Sequence, residues 1–180
     1  PLTPANVTWT NDTRFPAGQT ATFNGTSSVA TTTAAVVDTT KSFSVAAWVR
    51  LASLPTIDAK VATQDGTDAA GFDLGVRRQG TALAPYWSFV MKDTAAQSST
   101  TRAAIAPTPI TTADVGQWVH LAGVYDQPAG KIRLFVNGAL VHEAARTATP
   151  WASTGRFAVG RGYGSGIGNW WNGSAADVHV

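Results

Sequence analysis

Gln117-Trp118-Val119-His120-Leu121-Ala122-Gly123-Val124-Tyr125-Asp126, then Pro128-Ala129-Gly130, then Lys131-Ile132-Arg133-Leu134-Phe135-Val136-Asn137-Gly138 is the stretch that decides the fold. Side chains alternate in both runs, and turn residues bound them at Pro128-Ala129-Gly130 and Asn137-Gly138. Period-2 alternation closed by such turns predicts antiparallel strands with one face buried. Ile132, Leu134 and Val136 form one apolar row, with Arg133 and Phe135 opposite.

The same pattern extends outward. Phe43, Val45, Ala47 and Val49 share a face, as do Phe72, Leu74 and Val76, with Asp73 and Arg77 opposite. These rows are the candidate core. Short strands are expected at roughly 20–24, 28–31, 43–51, 70–77, 86–92, 102–106, 117–125, 131–136, 139–144, 156–160 and 174–180, with Gly, Pro, Asp and Asn between them. No convincing amphipathic helix interrupts them. The connections at 54–58, 95–101, 108–114 and 146–155 are too short to separate domains, so residues 1–180 are read as one all-β domain.

Composition narrows the function. Of 180 residues, 44% are hydrophobic and 13% charged, enough apolar surface for a full core. Thirteen basic residues face 11 acidic ones, and no Lys/Arg cluster appears along the chain, which argues against nucleic acid and anionic membranes as partners. There is no cysteine, and no apolar run approaches the roughly 20 residues of a membrane helix. Abundant Ala and Thr, with four lysines and one glutamate, fit a GC-rich bacterial gene. The start at Pro1 and the stop at Val180, inside an expected strand, suggest a domain excised from a longer protein.

Six motifs, in order, carry a resemblance. They are Phe23-Asn24-Gly25, Phe43-Ser44-Val45-Ala46-Ala47-Trp48-Val49, Trp118-Val119-His120-Leu121-Ala122, Leu134-Phe135-Val136-Asn137-Gly138, Val159-Gly160-Arg161 and Trp171-Asn172-Gly173-Ser174-Ala175-Ala176-Asp177-Val178. Together they resemble the concanavalin A-like, laminin-G-like jelly-roll domains from about residue 18 to residue 180. The resemblance implies a two-sheet antiparallel β-sandwich. It also implies a carbohydrate- or protein-binding module of a secreted or surface protein.

Glycosidases share this fold and resemble one another in carrying paired glutamates, whereas this chain has only Glu143. No Gly-x-Ser-x-Gly elbow accompanies His120, His142 or His179. No catalytic residue is assigned, and the protein is expected not to be an enzyme.

Seven tryptophans offer faces for sugars. Trp48 and Trp118 lie in the family motifs and are assigned to structure. Trp87, Trp151, Trp170 and Trp171 lie in or beside loops and are the better ligand candidates. Of the adjacent pair, Trp171 is expected in the core and Trp170 at the surface. The glycine-rich segment 160–169, carrying Tyr163 and Asn169, and the loop 64–68, carrying Asp65 and Asp68, read equally as binding loops or as plain solvated connections. The candidate ligand residues are therefore Asp65, Asp68, Trp151, Tyr163, Asn169 and Trp170.

The resemblance also implies a structural calcium between the Phe-Asn-Gly loop and the last strand, where Asn24 and Asp177 match. Ala176 departs from the acidic residue many relatives carry there, so weak affinity is expected. The alternative is that Asp177 only hydrogen-bonds the Asn24 loop. Taken together, the expectation is a non-catalytic, monomeric module within a multidomain chain. It would be extracellular or at the cell surface, and it would bind a glycan or other extracellular polymer through rim loops. A protein-interaction, adhesion or spacer domain is the alternative, and a glycosidase a remote one.

Overall fold

Where the sequence alternates, the backbone is extended. The computed structural model describes residues 1–15 and 18–180. Its strands are β1 (Thr3–Ala5), β2 (Thr8–Asn11), β3 (Gln19–Asn24), β4 (Val29–Thr31), β5 (Phe43–Leu51), β6 (Ala59–Gln64), β7 (Phe72–Gln79) and β8 (Ala84–Lys92). They continue as β9 (Thr101–Ile105), β10 (Trp118–Asp126), β11 (Lys131–Val136), β12 (Ala139–Ala145), β13 (Phe157–Val159), β14 (Gly162–Tyr163), β15 (Ile167–Gly168) and β16 (Asn172–His179). The sole helical element among the described residues is a 3-10 turn at Thr112–Asp114.

Two seven-stranded sheets result. The first has the order β1-β4-β13-β6-β7-β8-β9, the second β12-β11-β10-β5-β16-β3-β2, and every pairing is antiparallel. This is the expected jelly-roll sandwich. The deciding stretch forms the β10–β11 pair, with Gly123 opposite Leu134 and Asp126 opposite Lys131. Asn137 and Gly138, at φ 51° and 81°, make the tight turn into β12.

The three apolar rows meet between the sheets. Val45, Ala47 and Val49 of β5, Phe72, Leu74 and Val76 of β7, and Ile132 and Leu134 of β11 are fully buried, joined by Phe89, Met91, Leu121 and Tyr125. Each such Val, Leu, Ile or Phe side chain contributes about 1.5–3 kcal/mol by leaving water. Gly123 has a packing reason to be glycine. A Cβ there would stand 2.2 Å from the Phe89 ring, so the ring of one sheet fits against bare backbone of the other.

Three tryptophans fall elsewhere than their sequence context suggests. Trp87, read beside a loop, points inward from β8 and packs 6.4 Å from the fully buried Trp171. Trp48 and Trp118, read as structural, sit on the outer face of the second sheet rather than inside it. There Phe15 folds over both, at 6.2 and 4.8 Å, and Arg50 lies 4.9 Å from the Trp118 ring. They remain structural as the underside of that cover.

β6 is a strand that alternation misses. All six of its residues are buried, including Lys60, Thr63 and Gln64. One face lies on the core. The other, carrying Lys60, lies under the chain between residues 160 and 170, which returns across the outside of the first sheet: Lys60 N donates to Asn169 O at 2.9 Å, and a Cβ at Gly162 would stand 2.8 Å from the Lys60 stem. That returning segment, carrying the β14–β15 hairpin, builds the feature described next.

Candidate functional site

The outer face of the first sheet holds a cleft of about 330 Å³, floored by β6 to β9 and walled by the β14–β15 hairpin. Alternation dictates the floor. Asp73, Gly75 and Arg77 point away from the core row of β7, and Val90 and Lys92 do the same on β8 beside Thr101 of β9. Gly75, at φ 148°, lets the bulged part of β6 come close, since a Cβ there would lie 2.5 Å from Ala59 O. The bulge turns Lys60 onto this face. A Cβ at Gly162 would meet its stem at 2.8 Å, so the hairpin rests on that stem. Lys60 Nζ donates to Val76 O at 2.7 Å and lies 3.5 Å from Asp58 Oδ2, while Asp58 Oδ1 accepts from Arg78 N at 2.8 Å.

Asp73 is the unusual group. It is half-buried at the cleft floor, with Oδ1 sealed from solvent and no hydrogen-bond partner. Burial pushes its carboxyl above the usual range, against the pull of nearby Lys60 and Thr63 and with a smaller push from Asp58 and Asp65. Arg77 has no hydrogen bond or ion pair with any described residue. Lys92 Nζ donates only to the carbonyls of Gln97 and Ser99, and Arg78 donates to Leu83 O and Thr56 O.

The wall explains several sequence candidates. Asp68 fastens two loops: Oδ2 accepts from Gln97 N at 2.9 Å, Oδ1 from Ser165 Oγ at 3.2 Å, and its carbonyl from Ser165 N at 2.7 Å. Tyr163 donates to Thr67 O at 3.3 Å, and both Tyr163 and Asn169 line the cleft. Asp65 is a structural group. Both of its oxygens meet the guanidinium of buried Arg161, with Nη2 to Oδ2 at 2.7 Å, so it is spent on an internal ion pair. Trp151 is half-buried, its indole N–H donating to Lys92 O at 3.0 Å and its ring packed over Gly66.

Trp170 lies apart. It borders a separate groove of about 460 Å³ with Asn24, Ser53, Pro55, Ile57 and Asn172. The structure thus brings Tyr163 and Asn169 to one cleft, sets Asp68 behind its wall, and separates Trp170 from them. Sequence reasoning missed Asp58, Lys60, Arg77, Arg78, Lys92, Gln97 and Thr101. The one signal for them was Asp73 and Arg77 opposite the β7 core row.

Asn24 and Asp177 do not come together. Asn24 pairs with Asn172, five residues before Asp177 along β16, a separation of roughly 16 Å at about 3.3 Å per residue. Calcium needs its oxygens at about 2.3–2.6 Å, so the two residues do not fit one shared ion. Asn24 Oδ1 instead accepts from the backbone N–H groups of Thr26, Ser27 and Ser28 at 3.0, 2.9 and 3.1 Å, shaping the turn that the motif marks. Asp177 Oδ1 meets His179 Nε2 at 2.8 Å. No cluster of three or more potential metal-binding His, Asp or Glu side chains occurs among the described residues.

Glu143 is engaged by Lys131 and by Arg133, whose Nε lies 2.7 Å from Oε2, and Arg133 also binds Asp126 at 2.9 Å. The Lys131 and Arg133 hydrogen bonds hold the Glu143 carboxyl below its ordinary range, opposite to what a general acid needs.

Several solved structures share this architecture. Domain 4 of AbnA, a GH43 extracellular arabinanase from Geobacillus stearothermophilus, in complex with arabinotriose, has 20% identity and a TM-score of 0.59, over 97% of this chain and 74% of that one. The CBM40 of Ruminococcus gnavus IT-sialidase, bound to α2,3 sialyllactose, has 16% identity and a TM-score of 0.56, over 77% and 76%. Domains LG4-5 of the mouse laminin α1 chain have 14% identity and a TM-score of 0.58, over 88% and 40%. At these identities the likeness is one of fold. No curated protein matches the chain in sequence. The family model Laminin_G_3, described as the Concanavalin A-like lectin/glucanases superfamily, matches residues 23–180, and the protein belongs to that family.

Proposed function

We propose that this domain is a non-catalytic carbohydrate-binding module of a secreted or surface protein, and that it holds its glycan in the cleft between β6–β9 and the β14–β15 hairpin. The observation that carries this is the convergence of Tyr163, Asn169, Gln97, Thr101 and Asp73 with several cations in one concave site. A sugar needs that combination: an aromatic face for its C–H surface and fixed donors and acceptors for its hydroxyls. The cleft volume sits at the low end of the roughly 300–1,000 Å³ typical of small-ligand sites, which suits a short terminal segment. Support also comes from fold relatives whose structures hold arabinotriose and sialyllactose.

Binding without hydrolysis is the better account of the carboxylates. Asp58 has both oxygens engaged, and Asp73 turns Oδ1 away from solvent. A glycan array with the isolated domain, followed by calorimetry on the best ligand, tests the proposal. Saturable binding lost in Tyr163→Ala supports it, and sustained release of reducing ends abolished by Asp73→Asn overturns the non-catalytic part.

One observation favours protein interaction as a second reading. Trp9, 55% exposed, and Leu2, 41% exposed, border an apolar groove with Ala21 and Val178. A partner captured there, whose binding Trp9→Ser abolishes while the array stays blank, would select it.

A further inference from the structure

We propose that the cleft selects acidic glycans, sugars carrying a carboxylate, and that Arg77 receives that group; this rests on the glycan assignment above. Four cations line the cleft, Lys60, Arg77, Arg78 and Lys92, against two carboxylates, Asp58 and Asp73. The formal charge of the whole chain is only +2, so its entire cationic excess is gathered at this one place. No run of basic residues announces it in sequence, because Lys60, Arg77, Arg78 and Lys92 come from three strands that the sheet sets side by side.

The four cations are not equivalent. Lys60 is buried and already compensated by Asp58. Arg78 is drawn to two backbone carbonyls, Leu83 O and Thr56 O. Lys92 meets only carbonyl oxygens and has no carboxylate partner among the described residues, and Arg77 has no partner of either kind there. These last two are the charges left for a ligand. They stand at opposite ends of the cleft: Asp73 pairs with Val90 and Arg77 with Tyr86, which sets Lys92 beyond Asp73, roughly 20 Å from Arg77 at about 3.3 Å per residue. A planar guanidinium takes a carboxylate through two parallel hydrogen bonds, a geometry that a single ammonium does not offer, which favours Arg77. The carboxylate of Asp73, four residues from Arg77 on the same strand and only two from the level of Lys92, disfavours a second negative group near itself, which leaves the acid to the Arg77 end. Asn169, Gln97, Thr101 and Tyr163 at the rim supply neutral contacts for hydroxyls, which a bare phosphate would leave unused.

The test compares matched pairs by calorimetry: trigalacturonic acid against its methyl ester, and sialyllactose against lactose. The acidic member of at least one pair is expected to bind about tenfold tighter or more, the worth of one charge-assisted contact. The advantage should shrink with added salt. Arg77→Gln should narrow the acid-to-neutral ratio and Arg77→Lys should retain part of it. Neither touches a residue that holds the fold, and a melting curve checks this. Neutral members binding as well as acidic ones would overturn the inference and leave the glycan assignment standing. An array with no bound glycan, acidic or neutral, would overturn both. Inorganic phosphate or a single-stranded oligonucleotide competing as strongly as the acidic sugar would also overturn it, since the cleft would then take anions without regard to the sugar.

Discussion

Asp65→Asn should unfold the domain more readily without removing a ligand contact. The side chains of Asp65 and Arg161 are 14% and 3% exposed and joined through two oxygen–nitrogen contacts. Asn keeps the volume and removes the charge, leaving a buried guanidinium with no counter-ion. Breaking a buried pair from one side typically costs about 3–5 kcal/mol. The backbone role of residue 65 survives, because its carbonyl still accepts from Gly155 N at 2.8 Å and Ser153 Oγ at 2.7 Å. For a chain of this size, about 2–4 °C of Tm accompanies each kcal/mol, so a drop of roughly 6–20 °C is expected. Urea titration and thermal melts measure it. Asp65→Leu combined with Arg161→Met should recover much of the loss, since an apolar pair leaves no stranded charge. An Asp65→Asn domain as stable as wild type but weaker in glycan binding would refute the structural role and restore Asp65 as a ligand group.

Other expected outcomes follow from single contacts. Gly123→Ala pushes a methyl into the Phe89 ring and should cost about 1–3 kcal/mol, with Phe89→Leu in the same chain relieving part of it; urea titration of both variants decides. Asp73→Asn should stabilise the fold at pH 7. A folded pKa raised by burial means the neutral form is favoured, so the contribution of Asp73 is full below 3.8 and is lost as pH rises through the folded value. The gain in Tm should therefore shrink as pH is lowered to 3.8 and beyond, and a variant less stable than wild type at pH 7 would mean that the carboxylate is well paired. Chelator and excess calcium should leave the melting curve where it was, because Asn24 and Asp177 stand too far apart to share an ion; a calcium-dependent rise in Tm would show a site built from other oxygens.

The fold was legible because most strands bury one face only. Val45, Ala47 and Val49, or Phe72, Leu74 and Val76, announce themselves by alternation, and Asn137-Gly138 announces its turn. β6 was not legible, since Ala59-Lys60-Val61-Ala62-Thr63-Gln64 is covered on both sides and has no alternation to read. The short strands β1 and β2 and the β14–β15 hairpin were missed too, being too brief for a period to show. The candidate cleft was half legible. Tyr163 and Asn169, which line it, could be singled out because a glycine-rich loop signals a surface excursion, and Asp73 and Arg77 were visible as a polar row. What one sequence window cannot carry is the return of residues 160–169 across that row, which turns an ordinary solvated sheet face into a cleft. The same limit made Asp65 look like a ligand group, because its partner Arg161 lies 96 residues away.

Chemical-shift mapping of the labelled domain with its best array glycan tests the central claim most directly. The account predicts that amide shifts concentrate at Asp73, Arg77, Gln97, Thr101, Tyr163 and Asn169, the residues around the cleft on the first sheet. Shifts concentrated instead at Trp170, Asn24 and Asn172, or on the outer face of the second sheet around Trp48 and Trp118, would contradict it.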